Sequence, residues 1–187
     1  MGRHGTGVLL KIAAKRTTFG WLFFALVIIA GRGGKMHIAA GLPFIAAGVF
    51  LRYLSAGTIK KNEVLTVSGI YGICRNPLYM GSFLISAGFT LSSMHPAVLV
   101  YFLLFYPLTY LPAILSEERY LYEKFGKSYL DYRKNVPAFF PKFSLRTNLT
   151  GNFSWLQANR NREYLNLIAV AITLGILLIK SYLVFQK

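Results

Sequence analysis

Apolar residues in this chain are gathered into five long blocks that are separated by short polar segments. The blocks span residues 17–31, 36–54, 77–94, 97–115 and 164–179. A helix needs about 20 mostly apolar residues to cross a bilayer, and flanking turns or a thinned bilayer compensate for a shorter block. One block could be a buried core helix, but five leave too little polar sequence to cover a common core. The pattern therefore predicts an all-α integral membrane protein with about five transmembrane helices.

The chain is strongly basic, with 21 Lys and Arg, 6 Asp and Glu, and a formal net charge of +15. Domains that bind nucleic acid are basic but polar, whereas 55% of this chain is hydrophobic, so we expect no nucleic-acid partner. With five spans, 17 of the basic residues and all six acids fall on one side, which holds the N-terminus, 52–76 and 116–163. Basic loops remain cytoplasmic, so the polar chemistry should lie at the cytoplasmic face. The segment GRGGKMH after the first block lacks a small-residue cleavage site, so we expect a retained helix rather than a signal peptide.

The segment before the third block, SGIYGICRNPLYMG over residues 68–81, predicts an irregular entry into a helix. Its glycines permit a tight turn, and Pro77 suits the first helical turn because its missing N–H costs nothing there. A helix start at the membrane surface presents free N–H groups to an anion, and Arg75 stands beside it. The alternative is that Arg75 is an interfacial anchor, with Tyr71 and Tyr79 in an aromatic belt.

The fourth block ends at two acids, Glu117 and Glu118, which are expensive to leave unpaired at the membrane edge. The link over 92–96 is short, so the third and fourth blocks should form an antiparallel hairpin that brings these acids near Arg75. Beyond them, apolar residues recur at helical spacing and predict an amphipathic helix at the cytosolic membrane edge, ended by Pro137. The alternative is that all charges of this helix are solvated.

The two segments together resemble the isoprenylcysteine carboxyl methyltransferase family, which shares its sequence pattern with membrane phospholipid N-methyltransferases. The family pattern is R-H-P-x-Y-x-G, an apolar hairpin, E-E-R-x-L, and then F-G-x-x-Y-x-x-Y-x-x-x-V-P-x-x-x-P. The matching residues are Arg75, Pro77, Tyr79, Gly81, Glu117, Glu118, Arg119, Leu121, Phe125, Gly126, Tyr129, Tyr132, Val136, Pro137 and Pro141. The resemblance implies a single polytopic domain over 1–187, with its core at about 41–141 and an extra C-terminal transmembrane helix at about 164–182.

The resemblance also implies an S-adenosylmethionine-dependent methyltransferase with its cofactor at the cytosolic membrane edge. The implied cofactor-binding residues are Glu63, Val64, Leu65, Thr66, Tyr71, Asn76, Pro77, Leu78, Tyr79 and Glu117. The implied catalytic residues are Arg75 and Glu118. The chemistry agrees, because a helix start and an arginine suit the carboxylate of the cofactor and an acid suits its ammonium or ribose. A methyl group on a sulfonium is already activated and needs orientation rather than a covalent nucleophile.

Two positions depart from the family pattern. Asn76 stands where the family has histidine, and an amide carries no proton at neutral pH. Ala113 stands where the enzymes that methylate prenylated cysteine have an arginine for the substrate carboxylate. Three functions therefore remain open: methylation of a prenylcysteine-like carboxylate, N-methylation of a phosphatidylethanolamine-type amine, and binding of anionic membrane lipid without catalysis. The scattered histidines and Cys74 lack ligand spacing, so we expect no metal site.

Overall fold

The computed structural model describes residues 15–60, 64–141 and 152–184 of the chain. Their regular structure is helical, and these ranges contain no β-strand, which confirms the predicted all-α class. The α-helices are α1 (Arg16–Ala30), α2 (Lys35–Thr58), α3 (Pro77–Ser93), α4 (Pro96–Phe125), α5 (Lys127–Asn135), α6 (Trp155–Arg160) and α7 (Glu163–Val184). A single 3₁₀ turn, Gly69–Gly72, lies between α2 and α3 in the described part of the chain.

Three helices, α2, α4 and α7, are long and apolar enough to cross a membrane. They contain 24, 30 and 22 residues, whereas α1 and α3 contain only 15 and 17. The three long helices make the chain an integral membrane protein. The predicted total of five spans requires α1 and α3 to cross as well, and it stays a prediction.

Helices α2 and α3 pack with their backbones in near contact, because glycines of one helix face glycines of the other. A Cβ atom added at Gly48 would lie 2.6 Å from the carbonyl oxygen of Gly81. One added at Gly88 would lie 2.7 Å from the carbonyl oxygen of Gly41. Small residues allow this approach between membrane helices, where dispersion contacts rather than the hydrophobic effect drive association. The glycine contacts therefore hold α3 against α2 along much of the length of both helices.

The link between α3 and α4 consists of two residues, and it reverses the chain. Met94 has a φ of 46°, and the Nδ1 atom of His95 accepts a hydrogen bond of 3.2 Å from the Ala97 N–H, which caps α4. At this end of the bundle the Arg32 N–H donates to the Ser93 carbonyl at 2.8 Å. The predicted antiparallel hairpin is confirmed. Its opposite end, which we call the site end, gathers the starts of α1, α3 and α7 and the end of α2 around one cavity.

The amphipathic helix predicted beyond Glu118 is interrupted at Gly126. This residue has φ 52° and ψ −120°, a conformation that glycine adopts readily because it has no Cβ. Helix α4 therefore ends at Phe125, and a separate helix, α5, begins at Lys127. The hydroxyl of Tyr132 donates to the Tyr71 carbonyl at 2.7 Å, which fixes α5 against the segment before α3. The prediction of one continuous helix is wrong at this position, because the helical spacing is similar on both sides of the glycine.

Short helix α6 caps the end of α2, and the sequence pattern did not predict it. The side-chain amide of Asn161 donates to the Ala56 carbonyl at 2.7 Å, and that of Gln157 donates to the Ile59 carbonyl at 3.0 Å. The Ser154 N–H adds a 3.0 Å hydrogen bond to the carbonyl of Gly57, the residue after Ala56. The last carbonyls of a helix lack partners within it, so these contacts satisfy them. The C-terminal part of the chain thereby positions the start of the segment that leads to α3.

Candidate active site

A cavity of about 1020 Å³ lies at the site end, among residues of α1, α2, α3, α4, α5 and α7 and of the segment between α2 and α3. Small-molecule pockets have volumes of roughly 300–1,000 Å³, so this cavity is large enough for two ligands side by side. Its lining changes from polar at the start of α3 to aromatic and aliphatic between α1 and α4. Its shape and polarity suit one polar ligand and one amphiphilic ligand.

Most of the predicted site residues line this cavity. They are Val64, Leu65, Thr66, Tyr71, Arg75, Asn76, Leu78, Tyr79 and Glu117. Pro77 is buried as the first residue of α3, and neither it nor Glu118 is among the lining residues. Glu63 lies outside the described residues.

Glu117 enters the cavity from α4 and is held by a tyrosine of α3. The Tyr79 hydroxyl donates to Oε2 of Glu117 at 2.9 Å. The Tyr79 ring meets the edge of Tyr110 at 5.7 Å between centroids, and Tyr110 stacks on Tyr106 at 4.3 Å. The hydroxyl of Tyr106 in turn donates to the Tyr79 carbonyl at 2.6 Å. Three tyrosines therefore fix the position of one carboxylate on the cavity wall.

Arg75, which lines the cavity, forms a buried ion pair with Glu118, which does not. Nε and Nη2 of Arg75 donate to Oε1 of Glu118 at 3.1 and 2.8 Å, and the two side chains are only 8% and 12% exposed. Nη1 of Arg75 donates to the carbonyls of Arg133 and Val136 at 2.9 and 2.7 Å. The guanidinium group therefore joins the start of α3 to α4 and to the end of α5.

Asn76 acts as a hydrogen-bond donor at the position where the family pattern has histidine. Its Nδ2 atom donates to Oε1 of Glu118 at 3.2 Å and to the Ala138 carbonyl at 2.9 Å. The neighbouring Cys74 thiol donates to the Phe139 carbonyl at 2.9 Å. Burial raises the pKa of the Cys74 thiol to about 11, so it stays protonated and packs as a neutral group.

The hydroxyl of Tyr71 is buried at the cavity wall and has no hydrogen-bond partner among the described residues. Burial, and then the charge of Glu117, raise the pKa of Tyr71 well above its ordinary value, so the hydroxyl stays protonated. A buried polar group without a partner costs about 1–3 kcal/mol, which a polar ligand atom would recover. This hydroxyl, the Glu117 carboxylate and the first turn of α3 offer contacts for a ligand that carries both an anionic and a cationic group.

Sequence reasoning missed a second ion pair in the cavity, between Arg52 of α2 and Glu163 of α7. Nε of Arg52 lies 2.6 Å from Oε1 of Glu163, and Nη2 lies 2.9 Å from Oε2. Both residues line the cavity. The sequence did contain one signal for this pair, since Arg52 interrupts the apolar block 36–54. A charge inside a membrane helix bundle requires a partner.

We expect Arg75→Lys to destabilise the fold, because an ammonium cannot make the four planar contacts of this guanidinium. Loss of two buried hydrogen bonds should lower the free energy of unfolding by about 2 kcal/mol. Thermal unfolding of the purified protein in detergent would measure the loss. Arg119→Lys is the matched control, since Arg119 pairs with Glu123 while it is 81% exposed and should tolerate lysine. Equal melting temperatures for the two variants would show that Arg75 is a mere interfacial anchor.

About half of the chain is similar in sequence to known proteins. Residues 36–128 match the family model described as phospholipid methyltransferase. The chain is similar to a cobalt-zinc-cadmium resistance protein, CzcN, of Cupriavidus metallidurans, with 36% identity over 46% of this chain and 39% of the relative. It is also similar to the protein-S-isoprenylcysteine O-methyltransferases of Schizosaccharomyces pombe and Dictyostelium discoideum. The identities are 32% and 30%, over 52% and 62% of this chain and 41% and 47% of the relatives.

The chain spans less than half the length of these curated relatives. No solved structure matches it. Helices α6 and α7, which cap α2 and contribute Glu163, lie beyond the residues that match the family model.

Proposed function

Since the chain belongs to the isoprenylcysteine carboxyl methyltransferase family, with its phospholipid methyltransferase relatives, we propose that it transfers a methyl group from S-adenosylmethionine to a lipophilic acceptor. The observation that carries this proposal is the cavity at the site end, which is polar at one end and aromatic at the other. We place its polar end at the cytoplasmic face, because 17 of the 21 basic residues fall on that side of the five-span arrangement.

The polar end of the cavity would hold the cofactor. Glu117 suits the ammonium group or a ribose hydroxyl, and the first turn of α3 with the Tyr71 hydroxyl suits the carboxylate. The segment over 64–66 would line the same ligand. When bound, S-adenosylmethionine supplies a methyl group that is already activated on a sulfonium. The protein then has to orient the reactants and exclude water, and fixed orientation alone lowers a barrier by several kcal/mol.

Arg75 and Glu118, predicted as catalytic, have contacts that favour a positioning role. Their ion pair, together with the Asn76 amide, sets the start of α3 relative to α4. Glu117 directly precedes Glu118 on α4, so any shift of this ion pair would move the carboxylate of Glu117 as well. Both residues should therefore affect the rate without contacting the reacting atoms.

The aromatic end of the cavity would hold the apolar chain of the acceptor. Rings of α1 and α4 line it: Phe19, Trp21, Phe23, Phe24, Tyr101, Phe102 and Phe105. A prenylcysteine-like carboxylate and a phospholipid amine both have this combination of polar head and apolar tail. Methyl transfer to a carboxylate agrees with the S-isoprenylcysteine O-methyltransferases among the relatives, and transfer to an amine is the second candidate because the family model that matches describes phospholipid methyltransferases.

Membranes containing the protein should transfer label from methyl-labelled S-adenosylmethionine into lipid-soluble product, above membranes without it. Mild base separates the two chemistries, because a methyl ester is hydrolysed and an N-methyl group is not. Absence of label in both fractions, from protein that still binds anionic vesicles, would favour the non-catalytic alternative instead.

A further inference from the structure

Arg52 is a charged residue inside the apolar helix α2, and all three nitrogen atoms of its guanidinium group donate hydrogen bonds. Besides the two contacts with Glu163, its Nη1 atom donates to the Ser82 hydroxyl at 2.6 Å. The side chains of Arg52 and Glu163 are 19% and 5% exposed, and all three residues line the cavity. The ion pair is therefore built into the wall of the proposed site.

A buried ion pair is a weak source of stability. Taking two charges out of water is costly, and well-packed apolar residues of similar volume often serve stability as well or better. The backbone next to the pair is also unfavourable, because Arg162 has a φ of 56°, which suits glycine or asparagine better. Ionisable groups that a membrane protein buries within its bundle in spite of such costs are a mark of function.

The ion pair lies at the point where the polar end of the cavity meets its apolar end. Ser82 follows Tyr79 by three residues on α3, a rise of about 4.5 Å toward the aromatic rings. Tyr79 holds Glu117 on one side, and on the other side Ile85 and Phe102 line the apolar part. The head group of an amphiphile with its tail among the rings would therefore lie beside Arg52.

The charge of the cavity indicates the kind of head group. Among the described residues, cationic side chains in the lining outnumber carboxylates: Arg16, Arg52, Lys60, Arg75 and Arg162 against Glu117 and Glu163. A sulfonium donor adds positive charge. Because Glu117 would hold the cofactor and Glu163 is paired with Arg52, the site favours an anionic acceptor over an ammonium acceptor.

We propose that Arg52 binds the anionic group of the methyl acceptor and that Glu163 holds its guanidinium group in position for this contact. The inference rests on the proposed methyltransferase function and deepens it. A carboxylate oxygen would form the new bond to the methyl carbon while the carbon–sulfur bond breaks, and its electron pair stays on sulfur. The products are a methyl ester and a neutral thioether, so no base and no proton transfer are required.

Equilibrium binding of two radiolabelled probes with the same tail tests the proposal on the purified full chain in detergent. One probe is the carboxylate 2-(hexadecylsulfanyl)acetate, and the other is hexadecylamine. The wild type should bind the carboxylate at least ten-fold more tightly than the amine. Arg52→Gln should weaken carboxylate binding ten-fold or more. Glu163→Gln should weaken it by less than Arg52→Gln does, because one glutamine oxygen still accepts a hydrogen bond from the guanidinium group. The proposal is overturned if the wild type has no preference, or if the two variants lose carboxylate binding equally.

The double exchange Arg52→Glu with Glu163→Arg separates binding from structure, because it keeps an ion pair between α2 and α7. We expect its melting temperature to stay near the wild type while carboxylate binding falls ten-fold or more. Carboxylate binding that recovers to the wild-type value would show that the pair serves only to join the helices.

Binding of labelled S-adenosylmethionine to the same preparations distinguishes the two proposals. Cofactor binding that is retained in Arg52→Gln, with weakened carboxylate binding, supports both. Absence of cofactor binding in the wild type would contradict the proposed function. The difference in affinity between the carboxylate and the amine would still test the role of Arg52.

Discussion

Replacing Glu117 with glutamine should weaken S-adenosylmethionine binding by roughly ten- to a hundred-fold. The substitution removes one negative charge from a partly buried wall, where Tyr79 fixes the carboxylate at 2.9 Å. A hydrogen bond to a charged group is worth about 1.5–3 kcal/mol in such a place, and every 1.4 kcal/mol is roughly ten-fold in affinity. A calorimetric titration of the purified protein with the cofactor would measure the change.

Glu123→Gln is the matched control for this substitution. Glu123 lies on the same helix and is 60% exposed, and its one ion-pair partner among the described residues is Arg119, one turn away. Such surface pairs are worth about 0.2–0.5 kcal/mol, so cofactor affinity should not change measurably. An equal loss of affinity in both variants would identify Glu117 as a surface acid and remove the cofactor from this end of the cavity.

Gly48→Ala should destabilise the whole bundle, by about 3 kcal/mol. The added Cβ would lie 2.6 Å from the carbonyl oxygen of Gly81 and 2.8 Å from the backbone nitrogen of Ile85. Both neighbours are backbone atoms of α3 and cannot rotate away, so the two helices have to separate and lose their packing. Thermal unfolding monitored by size-exclusion chromatography would report the loss.

Gly175→Ala provides the control for the glycine contact. A Cβ at Gly175 of α7 meets no atom within 4 Å. Alanine also has a better helix propensity than glycine by about 1 kcal/mol, so this variant should be as stable as the wild type or more so. If Gly48→Ala melts together with Gly175→Ala, then α2 and α3 do not pack as closely as the structure indicates.

Each of the five apolar blocks became a helix, because long hydrophobic runs have few alternatives to a buried helix. The block at 77–94 became α3 (Pro77–Ser93), and the proline at its start marks the first residue of the helix. The fourth block ended at residue 115, whereas α4 continues to Phe125, since charged residues extend a helix beyond the bilayer without any change of period. Hydropathy therefore identified the part of each helix that is apolar and not the whole helix.

The site was predictable where its residues are close in sequence to a motif. Tyr79 and Glu117 lie on two helices joined by a short hairpin, so the motif and the topology together brought them into contact. The pair of Arg52 and Glu163 had no such local pattern, because its members are 111 residues apart and come from helices that the hairpin does not connect. The unpaired hydroxyl of Tyr71 was also invisible in the sequence, since burial of a single atom depends on the packing of α5.

The separation of Arg52 and Glu163 along the chain also has a consequence for biosynthesis. Ribosomes add about 5–20 residues per second. Glu163 lies 111 residues after Arg52, so it is synthesised roughly 6–20 s later. During this interval α2 meets the translocon with a guanidinium group that lacks its carboxylate, and a flexible arginine stem lets the charge reach toward the lipid head groups. We therefore expect α2 to reach its final depth only when α7 has been inserted, because Glu163 then completes the ion pair in the cavity wall.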